Sequence, residues 1–394
     1  MKEATIVIPA RNASATIERA IAAALGQGDY SLLLVDDCSE DDTAERSRKI
    51  GGARLNIVRP AEHRTLGFAR QTGLDAVRTP FLVWLDADDE LLPGRVDRLL
   101  EAMETELSDI AADGAEIVDG ATGRLRALSP IPAFLQTSRL PVRQFERNYL
   151  PGDGVLAFRT ERLRLLGYDP TLNSDMDVIL RAIAAGYRFS LLDNIGYRIY
   201  TYPRSHSRLQ LEQPLGYRAA LLKHSYQSVR RLYAQAHYSP RVTAWGLVSM
   251  ALFRQEYEPA LSFVDEASGL ITDPEEILEP AGPVPLPEGW RASFHRGTIL
   301  LLLGRPPEAR PMLEEAESLR STPEVTNNLG VALFRAGEKQ RARCCFESAL
   351  SRFPGFLDAR VNLESEEPVR ITTHPLRPPT YRNDYLPDNQ KQTG

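Results

Sequence analysis

Cysteine is nearly absent from this chain of 394 residues: Cys38 stands alone, and Cys344 and Cys345 are adjacent. That pattern excludes a disulfide framework and the common metal-binding spacings, and it predicts a reducing, cytoplasmic setting. Long apolar runs are missing as well. The opening stretch MKEATIVIPARN has only a short apolar run before Pro9, well under the core of a signal peptide. No later run reaches the roughly 18 residues of a membrane span, so no transmembrane segment is expected. Basic charge is not in excess: 47 Lys and Arg stand against 53 Asp and Glu, a net charge of -6. Nucleic acid and anionic membranes are therefore not expected partners. After its first strand-like run the chain reads Ala10-Arg11-Asn12, with no glycine, so a glycine-rich phosphate loop is lacking there.

What is present centres on FLVWLDADDE, Phe81 to Glu90. Five apolar or aromatic residues bounded by Pro80 predict a strand buried on both faces. The strand ends in Asp86-Ala87-Asp88-Asp89. In open α/β sheets ligands bind at the carboxyl ends of strands, where D-x-D offers two hard oxygen ligands to Mg²⁺ or Mn²⁺. The competing reading is that such acids cap the next helix, and Asp89 before Leu91-Leu92-Pro93 suits that role.

The chain leading there alternates strand with helix. Thr5 to Ile8 precedes an amphipathic stretch, Ala15 to Leu25, with Asn12 or Ser14 as cap. Ser31 to Val35 ends in DDCSEDDT before the helical stretch Ala44 to Ile50. Its acids either cap that helix with Ser39 or, at Asp36 and Asp37, accept hydrogen bonds from a ribose or a base. Leu55 to Val58 leads through His63, Arg64 and Gly67 to a helix, Phe68 to Val77. Such alternation predicts parallel pairing with the polar clusters along one rim.

The ordered set IVIPARN, Gln27, VDDCSEDDT, GFARQTGL and FLVWLDADDELLP resembles the family 2 glycosyltransferases of the GT-A fold over about the first 205 residues. The resemblance implies an inverting, metal-dependent enzyme (Mn²⁺ or Mg²⁺) that uses a nucleotide-sugar donor, UDP- rather than GDP-linked. It implies that Pro9, Ala10, Arg11, Asn12, Asp36 and Asp37 hold the nucleoside, with Gly67, Arg70 and Ala87 also at the donor. Asp86 and Asp88 would hold the metal and the ribose-diphosphate. Gln71 stands where the family has asparagine. Farther on, Ser174-Asp175-Met176-Asp177 matches the family's Glu-Asp-x-Asp, which maps the base to Asp175 and leaves the glutamate missing; the alternative is an N-cap with Asp175 and Asp177 in a helix's first turn. His206, in PRSHSR after the strand Ile195 to Tyr202, matches loosely a metal ligand, against the plain reading of a solvated loop histidine.

The second half is helical, beginning with the stretches Tyr217 to Ala236 and Arg241 to Phe253. Gly297, Ala309, Leu313 and Ala316 recur 33 positions later as Gly330, Ala342, Phe346 and Ala349, with Ala260, Val264 and Ala267 as a third partial copy. This pattern resembles tetratricopeptide repeats, in which Cys344 and Cys345 are small helix residues. The proline-rich stretch 273–287 interrupts it, and the chain from Glu366 on reads as an unpacked tail.

These observations predict an α/β GT-A domain at 1–210, an all-α TPR-like domain at 211–365 and a tail at 366–394. The expected function is transfer of a sugar to a glycan, peptide or small-molecule acceptor, with the helical domain serving homodimerisation or acceptor docking. Two alternatives stay open: a nucleotidyltransferase, and a binding scaffold with an inert transferase domain.

Overall fold

The computed structural model describes residues 3–136, 140–150, 153–172, 176–202, 212–270, 287, 289–367 and 370–374. The chain divides into two compact units, Met1–Leu232 and Tyr233–Gly394.

The first unit is built on one mixed sheet. Strands β1 (Ala4–Ala10), β2 (Ser31–Asp36), β3 (Leu55–Val58) and β4 (Phe81–Trp84) form its parallel half, in the order β3-β2-β1-β4. All of β1 and β4 and five of the six residues of β2 are buried, as continuous apolar runs covered on both faces require. Helices α1 (Ile17–Leu25), α2 (Thr43–Gly51) and α3 (Leu66–Ala76) make the crossovers. α1 buries Ile17, Ala20, Ile21 and Ala24, one stripe at helical spacing.

Beyond β4 the pairing changes direction. After the two-residue strand β5 (Glu90–Leu91) and helix α4 (Arg95–Thr105), the hairpin β6 (Ile110–Asp119) and β7 (Leu125–Ser129) is followed by β8 (Leu156–Arg159) and β9 (Phe189–Thr201). β8 lies antiparallel between β4 and β6, β6 pairs parallel with β9, and β5 pairs antiparallel with β9. The full path is β3-β2-β1-β4-β8-β6-β9-β5, with β7 beside β6. The chain thus leaves the middle of the sheet at Trp84 and six residues later is an edge strand against Tyr197 and Arg198. That crossing brings the far end of β9 over the acidic segment.

Short helices α5 (Ala133–Gln136), α6 (Thr160–Leu166) and α7 (Met176–Ala184) and then α8 (Glu212–Leu222) complete the unit. The stretch expected as one helix from Tyr217 is two, α8 and α9 (Tyr226–Gln235), because the Ser225 hydroxyl accepts the Ser228 N–H at 3.1 Å and starts a new helix.

In the second unit, α10 (Pro240–Arg254) packs on α11 (Tyr257–Ser268), α12 (Trp290–Leu302) on α13 (Pro306–Leu319), and α14 (Pro323–Arg335) on α15 (Lys339–Arg352), followed by α16 (Leu357–Glu364). The 33-residue spacing has a packing reason. A Cβ on Gly297 would stand 2.7 Å from the Leu313 side chain, and one on Gly330 would stand 2.6 Å from Phe346, so each pair closes a glycine onto a large apolar residue. Ala260, Val264 and Ala267 are fully buried as well. Cys344 is exposed, while burial, with Glu317 nearby, pushes the Cys345 thiol up to about 11. Arg370 to His374, within the stretch expected as an unpacked tail, are held against the helices; residues 368–369 and 375–394 lie outside the described residues. Among the described residues no helix is long and apolar enough to cross a membrane.

Candidate functional site

The carboxyl ends of β1, β2 and β4 meet on one rim. Ala10 pairs with Asp36, and the Asp37 N–H donates to the Ala10 carbonyl at 2.9 Å. The two loops that follow are laced together by side chains. Asn12, in the left-handed region at φ 49°, gives its N–H to the Ser39 hydroxyl at 3.0 Å and accepts the Glu40 N–H at 2.9 Å. Ala13 N–H donates to Thr43 at 2.7 Å, and Ser14 N–H to the Asp41 carboxylate at 3.0 Å. Asn12 and Ser14 therefore tie β1's loop to β2's, and neither side chain caps α1; its cap position, Thr16, makes no side-chain cap bond. Ser39 likewise does not cap α2, whose cap position is Asp42. Pro9 and Ala10 are buried in this rim, with Arg11 and Asn12 exposed at its edge.

The two aspartates after β2 have different environments. Asp36 is fully engaged: Oδ1 accepts the Ser39 N–H at 3.0 Å and Oδ2 takes the Arg59 guanidinium at 2.9 Å. Asp37 Oδ2 lies 2.6 Å from His63 Nδ1, while its buried Oδ1 has no hydrogen-bond partner among the described residues. A buried carboxylate oxygen left without a donor is costly unless a ligand supplies one.

At the end of β4, Asp86 and Asp88 are half-buried and Asp89 is buried. Arg70, fully buried on α3, reaches Asp86 Oδ1 at 3.1 Å and lies 4.5 Å from the Trp84 ring centroid. Asp89 is not a helix cap. Its Oδ1 accepts the Tyr200 N–H of β9 at 2.9 Å, and burial, then the charges of Asp88 and Asp86, push its carboxyl well above the usual range. Three crowded carboxylates of which one is driven toward the neutral form is an environment that a cation would relieve. Ala87 sits between the two outer acids, half-buried.

Gly67 has a packing role. A Cβ there would lie 2.1 Å from the Asp169 carbonyl oxygen, and its N–H donates to the Leu172 carbonyl at 3.0 Å, so α3 begins pressed on the 169–172 loop. Gln71 joins the same contact by accepting the Tyr168 N–H at 2.8 Å.

Several residues that the motifs do not mark hold this rim. The Arg19 guanidinium donates to the Asp88 carbonyl, stands 3.6 Å from the Tyr200 ring centroid and reaches the Tyr202 hydroxyl at 3.2 Å. The Tyr197 hydroxyl accepts the Asp86 N–H at 3.1 Å. Beneath it Arg95 and Asp113, neither exposed at all, form an ion pair at 2.8 Å, with the Arg95 guanidinium 5.1 Å from the Tyr197 ring. A sequence signal for this pair exists: Arg95 is the charged residue among the buried ones of α4, and Asp113 breaks the apolar run that opens β6. Asp177 is bound to Arg181 and to Lys223, each at 2.8 Å, so it serves as an anchor.

Asp175 and His206 lie outside the described residues. Among the described residues no cluster of three or more His, Cys, Asp and Glu side chains is arranged to hold a metal ion. A site of two aspartates fits a cation whose remaining ligands are waters and diphosphate oxygens.

Residues 5–166 match the model of the family described as Glycosyl transferase family 2. Two proteins of Rhizobium meliloti (strain 1021) are similar to this chain. Succinoglycan biosynthesis protein ExoU is 33% identical over 210 residues, 49% of this chain and 60% of that protein. Succinoglycan biosynthesis protein ExoO is 29% identical over 221 residues, 52% and 63%. From Escherichia coli, UDP-Glc:alpha-D-GlcNAc-diphosphoundecaprenol beta-1,3-glucosyltransferase WfaP is 28% identical over 108 residues, 27% of this chain and 43% of that protein. The chain spans less than two thirds of the length of each of these relatives.

Proposed function

We propose that the first unit transfers a sugar, with inversion, from a nucleoside-diphosphate sugar to an acceptor hydroxyl, with UDP as the nucleotide and a glycan as the acceptor class. The observation that carries this reading is the buried, unpartnered Oδ1 of Asp37 on the same rim as Asp86-Ala87-Asp88, within a segment that matches the glycosyl transferase family 2 model. Two of the relatives are named for succinoglycan biosynthesis and the third as a UDP-Glc-dependent glucosyltransferase, which supports the donor and acceptor classes.

In this reading Asp37 Oδ1 accepts an N–H from the base, and Pro9 to Asn12 form the wall beside it. Asp36, whose two oxygens are engaged, holds the loop in place. Asp86 and Asp88 would hold a divalent cation, Mn²⁺ or Mg²⁺, which would supply positive charge to neutralise the departing diphosphate. Arg70 and Arg19 fix the acidic segment from either side. Asp175 takes the proton of the acceptor hydroxyl as its oxygen bonds to the anomeric carbon and the nucleoside diphosphate leaves from the opposite face. The second unit serves association, by acceptor docking or self-association, and takes no part in the chemistry.

The test is a donor screen. UDP at 100 times its dissociation constant should add about 2.7 kcal/mol to stability in the presence of Mn²⁺, and Asp88→Ala should remove the metal-dependent share. Asp175→Asn should keep donor binding and lower turnover roughly 100-fold or more. Release of pyrophosphate in place of UDP would mean a nucleotidyltransferase, and release of neither product from any donor would leave a scaffold. Equal stabilisation of wild type and Asp88→Ala would remove the metal assignment.

A further inference from the structure

Three asparagines of the second unit, Asn327 and Asn328 on α14 and Asn362 on α16, are at most 1% exposed. Polar amides so deep must find partners, and theirs are the main chain of an extended segment, Arg370 to His374. Asn362 pairs with both backbone groups of one residue: Arg370 N–H donates to its Oδ1 at 2.8 Å, and its Nδ2 donates to the Arg370 carbonyl at 2.8 Å. Asn328 does the same two residues on, with Thr372 N–H to Oδ1 at 2.9 Å and Nδ2 to the Thr372 carbonyl at 2.9 Å. Asn327 bridges them, donating to the Arg370 carbonyl at 3.1 Å and accepting from Asn362 Nδ2 at 3.0 Å. Residues i and i+2 of an extended chain present their N–H and C=O along one edge, and a primary amide supplies one acceptor and donors to match.

Side chains add a modest selectivity. Ile371 packs with Leu329, Phe334 and Leu363 on the apolar cluster of α12 to α15. The Thr372 hydroxyl donates to Asp358 at 2.8 Å, and His374 stacks on Phe253 of α10 with 4.3 Å between centroids. The segment therefore lies against α10, α14 and α16, read chiefly through its backbone. Vacating this face would exchange these amide bonds for bonds to water, at a net loss of about 0.5–1.5 kcal/mol for each, so an extended chain is favoured there.

We propose that this face is a peptide-binding site whose resident ligand is the chain's own Arg370–His374, and that an extended peptide with an apolar residue followed directly by Thr or Ser can take its place. The proposal is independent of the sugar-transfer reading. Because the resident segment is tethered, its effective concentration is of millimolar order, and a peptide of micromolar affinity would bind the intact chain roughly a thousandfold more weakly than a vacated one.

The experiment uses the full chain and a fluorescein-labelled peptide of sequence PVRITTHPL, which copies residues 368–376. Thr372→Pro removes the N–H that Asn328 accepts and vacates the face. Saturable anisotropy is expected on Thr372→Pro protein, at least a hundredfold tighter than on wild type, and lost when Asn328→Ala is added. No saturable binding to a Thr372→Pro protein of unchanged helical circular dichroism would overturn the proposal, making the segment a permanent closure of the fold. Should that variant fail to fold, amide exchange in the wild type decides. Arg370 and Thr372 amides exchanging well before those of α14 support a displaceable ligand, and exchange together with α14 refutes it.

Discussion

Asp113→Ala should cost the first unit about 3–5 kcal/mol, because it leaves the Arg95 guanidinium charged, buried and deprived of its counterion. In the native structure Arg95 Nε and Nη2 both stand 2.8 Å from Asp113 Oδ1, with both side chains fully buried. The variant leaves that guanidinium with the Val155 carbonyl as its remaining hydrogen-bond acceptor among those described. For a unit of this size the loss corresponds to a fall in Tm of about 6–20 °C. Urea denaturation at pH 7 would measure it, with Arg95→Met and the double variant Arg95→Met/Asp113→Asn completing a cycle against Asp113→Asn. Removing both charges removes the orphaned one, so the double variant should be more stable than the sum of the single losses predicts by about 1 kcal/mol or more. The Tyr197 ring rests on Arg95 and its hydroxyl receives the Asp86 N–H, so nucleotide affinity should fall with the same variants. A cost below about 1 kcal/mol for Asp113→Ala, or strict additivity in the cycle, would refute the argument that this buried pair supports the site.

Gly67→Ala should destabilise by about 1–3 kcal/mol or more, since its Cβ meets the Asp169 carbonyl oxygen at 2.1 Å and backbone must shift; a thermal melt indistinguishable from wild type would contradict this. The hydrogen bond from Lys223, then those from Thr171, hold Asp169 well below the usual carboxylate range, and Lys223 is raised despite its burial. A depressed carboxylate contributes stability above its unfolded value near about 4 and loses it as pH falls through the folded value. The wild-type advantage over Lys223→Met should therefore hold from about pH 5 to 10, shrink in acid, and shrink again as Lys223 deprotonates above about pH 10; a difference constant from pH 7 to pH 2 would be inconsistent with the pairing. With its thiol near 11, Cys345 is about one part in a thousand thiolate at pH 8 and should label with a disulfide reagent far more slowly than exposed Cys344, gaining about tenfold per pH unit; equal labelling rates by mass spectrometry would rule this out.

The sequence by itself determined the elements whose signal is local. Continuous apolar runs at Ile6, Leu32 and Phe81 read as strands buried on both faces, and the polar clusters that follow them had to lie at one rim once helices joined the strands in parallel. The 33-residue repeat was equally legible, because packing a glycine against Leu313 or Phe346 recurs at a fixed spacing. Local pattern could not separate Asp36 from Asp37: both follow the same strand, yet Arg59 and the Ser39 amide complete one and leave the other an unpartnered oxygen. Nor could it remove Asp89 from the role of cap, which required Tyr200, more than a hundred residues away, to be brought alongside by the pairing of β5 with β9. Arg19 at Asp88, Arg95 and Asp113 under Tyr197, and the asparagines on Arg370 and Thr372 belong to the same class. Periodicity tells which side of an element faces inward; which distant residue it meets there is set by the order in which strands and helices are laid side by side, and that is a property of the folded chain alone.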